Sequence, residues 1–303
     1  MRIGLNGGGA TVDRIVEQAV KAEAAGFSTM WYPSAVRGDP LVAMAIAGRA
    51  TTSIELGTAV LQTYPCHPLL MANRTAAVAA AMGRSGLTLG IGPSHDVVIE
   101  GMYGLSYAHA GRHTEEYTRI VTAALRGEDA SLDGDDFRVN ARKTSPSPFP
   151  VSVLLAALAP RMLRVAGEVA DGTILWMANA RAIESHVVPR IGAAAAEAAR
   201  PAPRIIAGLP VAVHDDIDEA RAAATEQYGF YGSLPNYRRI LTIGSADEPA
   251  DACIVGNEDS VTAQLGALVD AGATDIWAAV FPVGTDRAAS RTRTRTLLAQ
   301  LVA

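Results

Sequence analysis

Short apolar runs alternate with stretches of helical period along this chain, and that alternation sets the first structural expectation. Residues 2–6 run into Gly7-Gly8-Gly9, as a buried strand does when it leaves a core through a permissive turn. Val12, Ile15, Val16, Ala19, Val20 and Ala22 then recur on one helical face, with Thr11 placed as N-cap and Gly26 as stop. A second strand follows over 27–32. Asp39 and Pro40 supply a cap and a first-position proline for a helix to about residue 51. The third strand is expected over 54–62, a loop over 63–68, a helix over 69–82 closed by Gly83, and a fourth strand over 87–91.

The second half repeats the unit with two excursions. Residues 92–111 are too long for a plain connection and read as a loop with a short helix on the functional face. A helix resumes over 112–125, and Asp133-Gly134 marks a small surface hairpin in a segment near 130–150. The apolar run 151–157, bounded by proline, has the character of a strand buried on both faces. Helix 160–169, strand 173–177, helix 180–200, strand 205–213 and helix 215–228 follow. An insertion near 229–258 breaks the period, which returns with helix 259–271, strand 276–281 and a last helix. Eight strands alternating with helices predict a (β/α)8 TIM barrel with insertion segments, a single domain over 1–303. A doubly wound open sheet is the alternative, and the lack of G-x-G-x-x-G after the first strand speaks against it.

Composition narrows the partners. With 26 basic and 31 acidic residues the net charge is -5, which gives no global reason to approach nucleic acid or anionic lipid. Cys66 and Cys253 are the only cysteines and form no C-x-x-C pair, so neither a disulfide framework nor a structural zinc site is indicated. The start MRIGLNGGG lacks a leader's apolar core, and no stretch of about 18 apolar residues occurs. A soluble, cytoplasmic protein with no membrane segment and no bound metal is expected.

In such a barrel catalytic groups collect at the carboxyl ends of the strands. Those ends offer Asn6, Tyr32, Ser34, Thr63, Tyr64, His67, Ser94, His95, the turn 157–161, Trp176, Met177 and Phe281. The set is apolar and aromatic with few charges, which suits a flat, flavin-like cofactor. The small residues of 156–160 before a helix form a phosphate cradle or an ordinary connecting loop. His67 and His95 stand just past strand ends, where an imidazole donates a proton or orients a carbonyl, or simply holds its loop. Cys66-His67 is set aside as a metal pair, because neighbours on an extended chain point apart. Tyr228, Phe230, Tyr231 and Tyr237 in the insertion read as a lid or a subunit contact, and Arg287, Arg291, Arg293 and Arg295 as a solvated helix face.

Several segments, in this order and spacing, carry a family resemblance: IELGTAVLQTYPCHP, LTLGIGPSH, GRHTEEYTRIVTAALRGE, VLLAALAPRMLRVAGEVADGTILWM, AGLPVAV and DAGATDIWAAVFP. The chain resembles the luciferase-like monooxygenase superfamily, most nearly its coenzyme F420-dependent oxidoreductase branch. The resemblance implies a deazaflavin at the carboxyl-end pocket, a homodimer, and a non-prolyl cis peptide at Ala59-Val60 bulging behind the ring. It implies that Gly92, Pro93 and Ser94 run along the cofactor and that Leu158, Ala159 and Arg161 meet its phosphate. Asn6, Ser34, Trp176 and Met177 would complete the cofactor site. Where members carry a histidine or acid after the second strand, this chain has Pro33-Ser34-Ala35-Val36. The proton-donor role therefore passes to His67, His95 or Tyr64, and a sugar phosphate is disfavoured as substrate. The activity implied is F420-dependent hydride transfer with a hydrophobic small molecule at C=C, C=N or C=O. An FMN-dependent monooxygenase and a non-catalytic cofactor-binding protein are the alternatives.

Overall fold

The computed structural model describes residues 1–9, 11–34 and 39–302. Ala35 and Val36, part of the departure after the second strand, lie outside the described residues. Strands β1 (Ile3–Asn6), β2 (Thr29–Tyr32), β3 (Glu55–Thr58) with β4 (Leu61–Gln62), β5 (Leu87–Gly92), β8 (Val151–Leu155), β9 (Gly172–Trp176), β10 (Arg204–Val213) and β12 (Asp275–Val280) pair in parallel in this order. The ring closes through β10 to β12 and β12 to β1. It is the parallel (β/α)8 barrel, with β6 (Leu132–Asp133) and β7 (Arg138–Val139) forming the antiparallel surface hairpin.

Helices α1 (Val12–Ala24), α2 (Pro40–Ala50), α3 (Pro68–Met82), α5 (Ala110–Arg126), α6 (Pro160–Glu168), α8 (Val188–Glu197), α9 (Ile217–Tyr228), α12 (Glu258–Asp270) and α13 (Arg287–Val302) surround the strands. Their starts follow the cap chemistry: Thr11 Oγ1 accepts from Arg14 N, Asp39 from Leu41 N, and Asn257 from Ser260 N. Strand alternation separates two apolar layers. Ile276 and Ala278 join the large layer between strands and helices, whereas Trp277, Trp31, Leu154, Ile174 and Ile206 fill the barrel interior. The indoles fit because glycine faces them. A Cβ on Gly57 would stand 2.3 Å from the Trp31 ring, and one on Gly208 2.3 Å from the Trp277 ring. At the amino-terminal end, Arg204 bridges Glu55 and Asp275, with Arg2 closing over them from outside.

Three elements depart from the sequence pattern. The third strand is broken between Thr58 and Leu61, where the Ala59–Val60 peptide is cis. The long helix expected over 180–200 contains a π-turn at Ile183–Val187 between α7 (Ala180–Ala182) and α8, just before Pro189. Proline has no N–H for the usual bond four residues back, which favours the wider turn there. The insertion is ordered: a 3-10 turn Gly229–Ser233, α10 (Pro235–Ile243), α11 (Pro249–Ala252) and β11 (Ile254–Gly256), the last extending the sheet beside β10. Its strand is three residues long, too short for a clear alternation signal.

Candidate active site

A cavity of about 440 Å³ opens where the strands end. Asn6, Gly92 and Trp176, the last residues of β1, β5 and β9, all line it, so it occupies the carboxyl end of the barrel. The volume lies within the range of small-molecule sites. Among the described residues lining it there is no Lys, Arg, Asp or Glu.

One wall is made by a bulge. From Gly57↔Thr88 to Leu61↔Ile91 the β3–β4 side advances four residues while β5 advances three, so one residue is extra. The Thr58 hydroxyl patches the interrupted ladder, accepting from Gly90 N at 2.8 Å and donating to Gly90 O at 2.7 Å. This crossing needs glycine, since a Cβ on Gly90 would stand 2.0 Å from Thr58 O. Ala59 and Val60 are thereby delivered to the lining. Gly92 lets Val60 and Ala156 approach from either side, at 3.0 and 2.9 Å from where its Cβ would be. Beyond it, Pro93, Ser94 and His95 continue along the cavity. Ser94 adopts the left-handed φ of 65°, held by Gln62 Nε2 on its Oγ at 3.3 Å and by the Tyr107 hydroxyl on its carbonyl at 2.7 Å.

The turn between β8 and α6 offers donors. Ala156 N bonds Ile91 O, but Ala157, Leu158 and Ala159 have no acceptor for their N–H groups among the described residues. The Leu158 carbonyl is already taken: His186 Nε2, from the π-turn, donates to it at 2.8 Å. With the start of α6 following at Pro160, the turn presents consecutive free amides beside a helix N-terminus, the chemistry of an anion cradle.

The sequence-predicted residues separate into groups. Asn6, Ala59, Val60, Gly92, Pro93, Ser94, His95, Leu158, Ala159 and Trp176 come together on the cavity. Ser34 is exposed outside the lining, and Arg161 turns to Glu115 at 2.9 Å. Met177 is fully buried and outside the lining. His67 serves as N-cap of α3, its Nδ1 accepting from Leu69 N at 3.3 Å, and its ring stands edge-on to Phe137. Tyr64 stacks on His113 at 3.8 Å and on Tyr107 at 5.5 Å, away from the lining. Burial, aided by Asp136 and Glu100, pushes its phenol up to about 12. Burial lowers His95 below the ordinary histidine value, and Asp96 only partly offsets it, so the imidazole facing the cavity is neutral near pH 7.

Sequence reasoning missed Trp277, although the alternation in the eighth strand puts it on the inner face, and passed over Gln227 and Asn236. The end of α9 supplies Tyr228 to the cavity and the insertion supplies Tyr231 and Tyr237, while Phe230 faces outward at 61% exposure.

Comparison with known proteins bears on this site. The family model described as luciferase-like monooxygenase matches residues 2–275. An F420-dependent hydroxymycolic acid dehydrogenase of Mycobacterium tuberculosis is 30% identical over 233 residues, spanning 70% of this chain and 62% of that protein. The coenzyme F420 dependent tetrahydromethanopterin reductase of Methanopyrus kandleri shares the fold with a TM-score of 0.75 at 21% identity, covering 99% of this chain and 97% of the other. The oxygenating constituent of 3,6-diketocamphane monooxygenase from Pseudomonas putida, solved with FMN, also reaches 0.75, at 18% identity and 100% and 98% coverage. Both structural likenesses concern the fold alone.

Proposed function

The chain belongs to the luciferase-like monooxygenase family, and from that premise we propose that it is a coenzyme F420-dependent oxidoreductase acting on a hydrophobic small molecule. The observation that carries the reading is one continuous cavity with an aromatic and apolar body at the strand ends and free backbone amides at 157–159. A flat tricyclic ring needs the first and its phosphate needs the second. The F420-dependent dehydrogenase relative supports deazaflavin over flavin.

When bound, the deazaflavin supplies a hydride donor or acceptor for a C=C, C=N or C=O bond. The protein's own residues do the rest. Val60 on the bulge would back the ring, and Gly92 to Ser94 would run along it. Amides 157–159 would hold its phosphate, their turn fixed by the His186 hydrogen bond to the Leu158 carbonyl. Trp176, Trp277 and Tyr228 line the same cavity and would exclude water from the reacting groups. Of the three candidate proton carriers, His95 alone lines the cavity, and its neutral imidazole is suited to accept or relay a proton at the substrate. Tyr64 acts at one remove through Tyr107 and the Ser94 carbonyl, and His67 by starting α3.

A cytoplasmic homodimer is the assembly we propose. Exposed Val42 and Ile46 on α2 and Leu70 on α3 make an apolar face for a second copy, and no described helix is long and apolar enough to cross a membrane. Titration of the purified protein with F420 and FMN, followed by tryptophan emission, tests the cofactor. Saturable quenching by F420 is expected; tight FMN binding with no response to F420 overturns the assignment in favour of a flavin monooxygenase.

A further inference from the structure

The tyrosine hydroxyls of this protein fall into distinct classes. Tyr107 spends its O–H on the Ser94 carbonyl, and the Tyr228 oxygen accepts from Gln227 Nε2 at 3.0 Å. Tyr32, Tyr64 and Tyr117 have unpaired hydroxyls sealed inside the packing, where no ligand reaches them. Tyr231 and Tyr237 belong to neither class; the Tyr231 oxygen lies against the Trp176 indole, which leaves Tyr237. Its side chain lines the cavity, its hydroxyl has no hydrogen-bond partner among the described residues, and that oxygen is not sealed.

The ring is also fixed in place. Tyr231 packs edge-on against it with centroids 4.8 Å apart, and the His95 ring tilts over it at 5.7 Å. Its carrier, α10, begins with Pro235, so the phenol sits in the first turn of a helix set by a proline. Burial, with Tyr231 and Tyr107 nearby, drives its pKa upward, which keeps the group an O–H donor under any ordinary condition. A donor held in an apolar cavity without a partner is costly to cover with a hydrocarbon and favourable to cover with an acceptor.

We propose that Tyr237 is the specificity-determining donor of this site, its hydroxyl recognising the oxygen of a neutral carbonyl-bearing substrate beside His95. This deepens the oxidoreductase reading by choosing C=O among the three reducible bonds, and it rests on that reading for the identity of the site. Recognition is thus divided: the barrel strands shape the cofactor half, and the insertion that breaks the β-α period reads the substrate. The insertion would then set which ketone or aldehyde each such barrel accepts.

The test compares two probes of nearly one shape, 2-acetylnaphthalene and 2-ethylnaphthalene, by calorimetric titration of the parent protein and Tyr237→Phe, with and without F420. The parent should bind the ketone roughly fivefold to tenfold more tightly than the hydrocarbon, the size of one neutral hydrogen bond. Tyr237→Phe should lose that preference while keeping its affinity for 2-ethylnaphthalene. A parent with no ketone preference overturns the proposal, as does a variant that keeps the preference or loses both probes equally. Failure of the cofactor assignment is read separately: F420 then produces no binding heat, whatever the probes do.

Discussion

Replacing Arg204 by methionine should expose how much the closed amino-terminal end of the barrel contributes to stability. Arg204 Nη1 donates to Glu55 Oε1 at 2.9 Å and Nη2 to Asp275 Oδ1 at 2.8 Å, and the two carboxylates are only 14% and 4% exposed. Methionine matches the stem but leaves both acids to Arg2, whose own side chain is 54% exposed. Removing one partner of a buried ion pair costs about 3–5 kcal/mol, and the surviving Arg2 contacts put this case near 3 kcal/mol. At about 2–4 °C per kcal/mol the midpoint should fall by roughly 6–12 °C.

The pH dependence has a definite sign. Burial opposes the charge of Asp275, but Arg204, Thr274 and Arg2 hold its carboxyl below the ordinary value. Its contribution in the parent is therefore present above the unfolded value, about 3.9, and is lost as pH falls through the lowered folded value. Without Arg204 burial dominates, and protonation of the acid relieves the variant as pH drops. The gap between parent and variant, measured by urea unfolding followed by circular dichroism, should be widest at pH 7 and narrow towards pH 4. A gap under about 1 kcal/mol at pH 7, or one that does not narrow, refutes the reasoning.

Three further outcomes follow from the same structure. Gly208→Ala places a Cβ 2.3 Å from the Trp277 ring and 2.4 Å from Leu175 O, so it should cost about 1–3 kcal/mol and shift tryptophan emission; an unchanged melt and spectrum would contradict the packing described. His95, with its folded pKa lowered chiefly by burial, contributes fully above the ordinary value near 6.5 and loses its contribution as pH falls below it; thermal melts of His95→Asn between pH 7.5 and 5 should show a shallower acid decline than the parent. Cys66 and Cys253, both buried and with thiols raised by burial, Cys253 to about 12, should react with a disulfide reagent only after unfolding; rapid native labelling would place a thiol in solvent.

The barrel was legible because its determinants are local and periodic. Caps at Thr11 and Asp39, the stop at Gly83 and the apolar runs of the strands each act within a few residues, and the helices and strands formed where they indicated. The site was legible only in part. Strand ends pointed to Asn6, Gly92 and His95 because backbone direction alone puts them at the cavity. Whether a side chain beyond the strand end turns inward depends on distant partners. Arg161 turns to Glu115 and Tyr64 stacks on His113 of α5, whereas His67 is taken up locally by capping its own helix α3. Tyr237 was visible as an aromatic in an irregular segment, but its place opposite His95 comes from the fold of the whole insertion.

A crystal structure of the protein with coenzyme F420 tests the central claim most directly. The account predicts the ring against Val60, the phosphate oxygens within hydrogen-bond reach of the Ala157, Leu158 and Ala159 amides, and His95 on the open face. A phosphate bound elsewhere, or a ring lying away from the bulge, contradicts it.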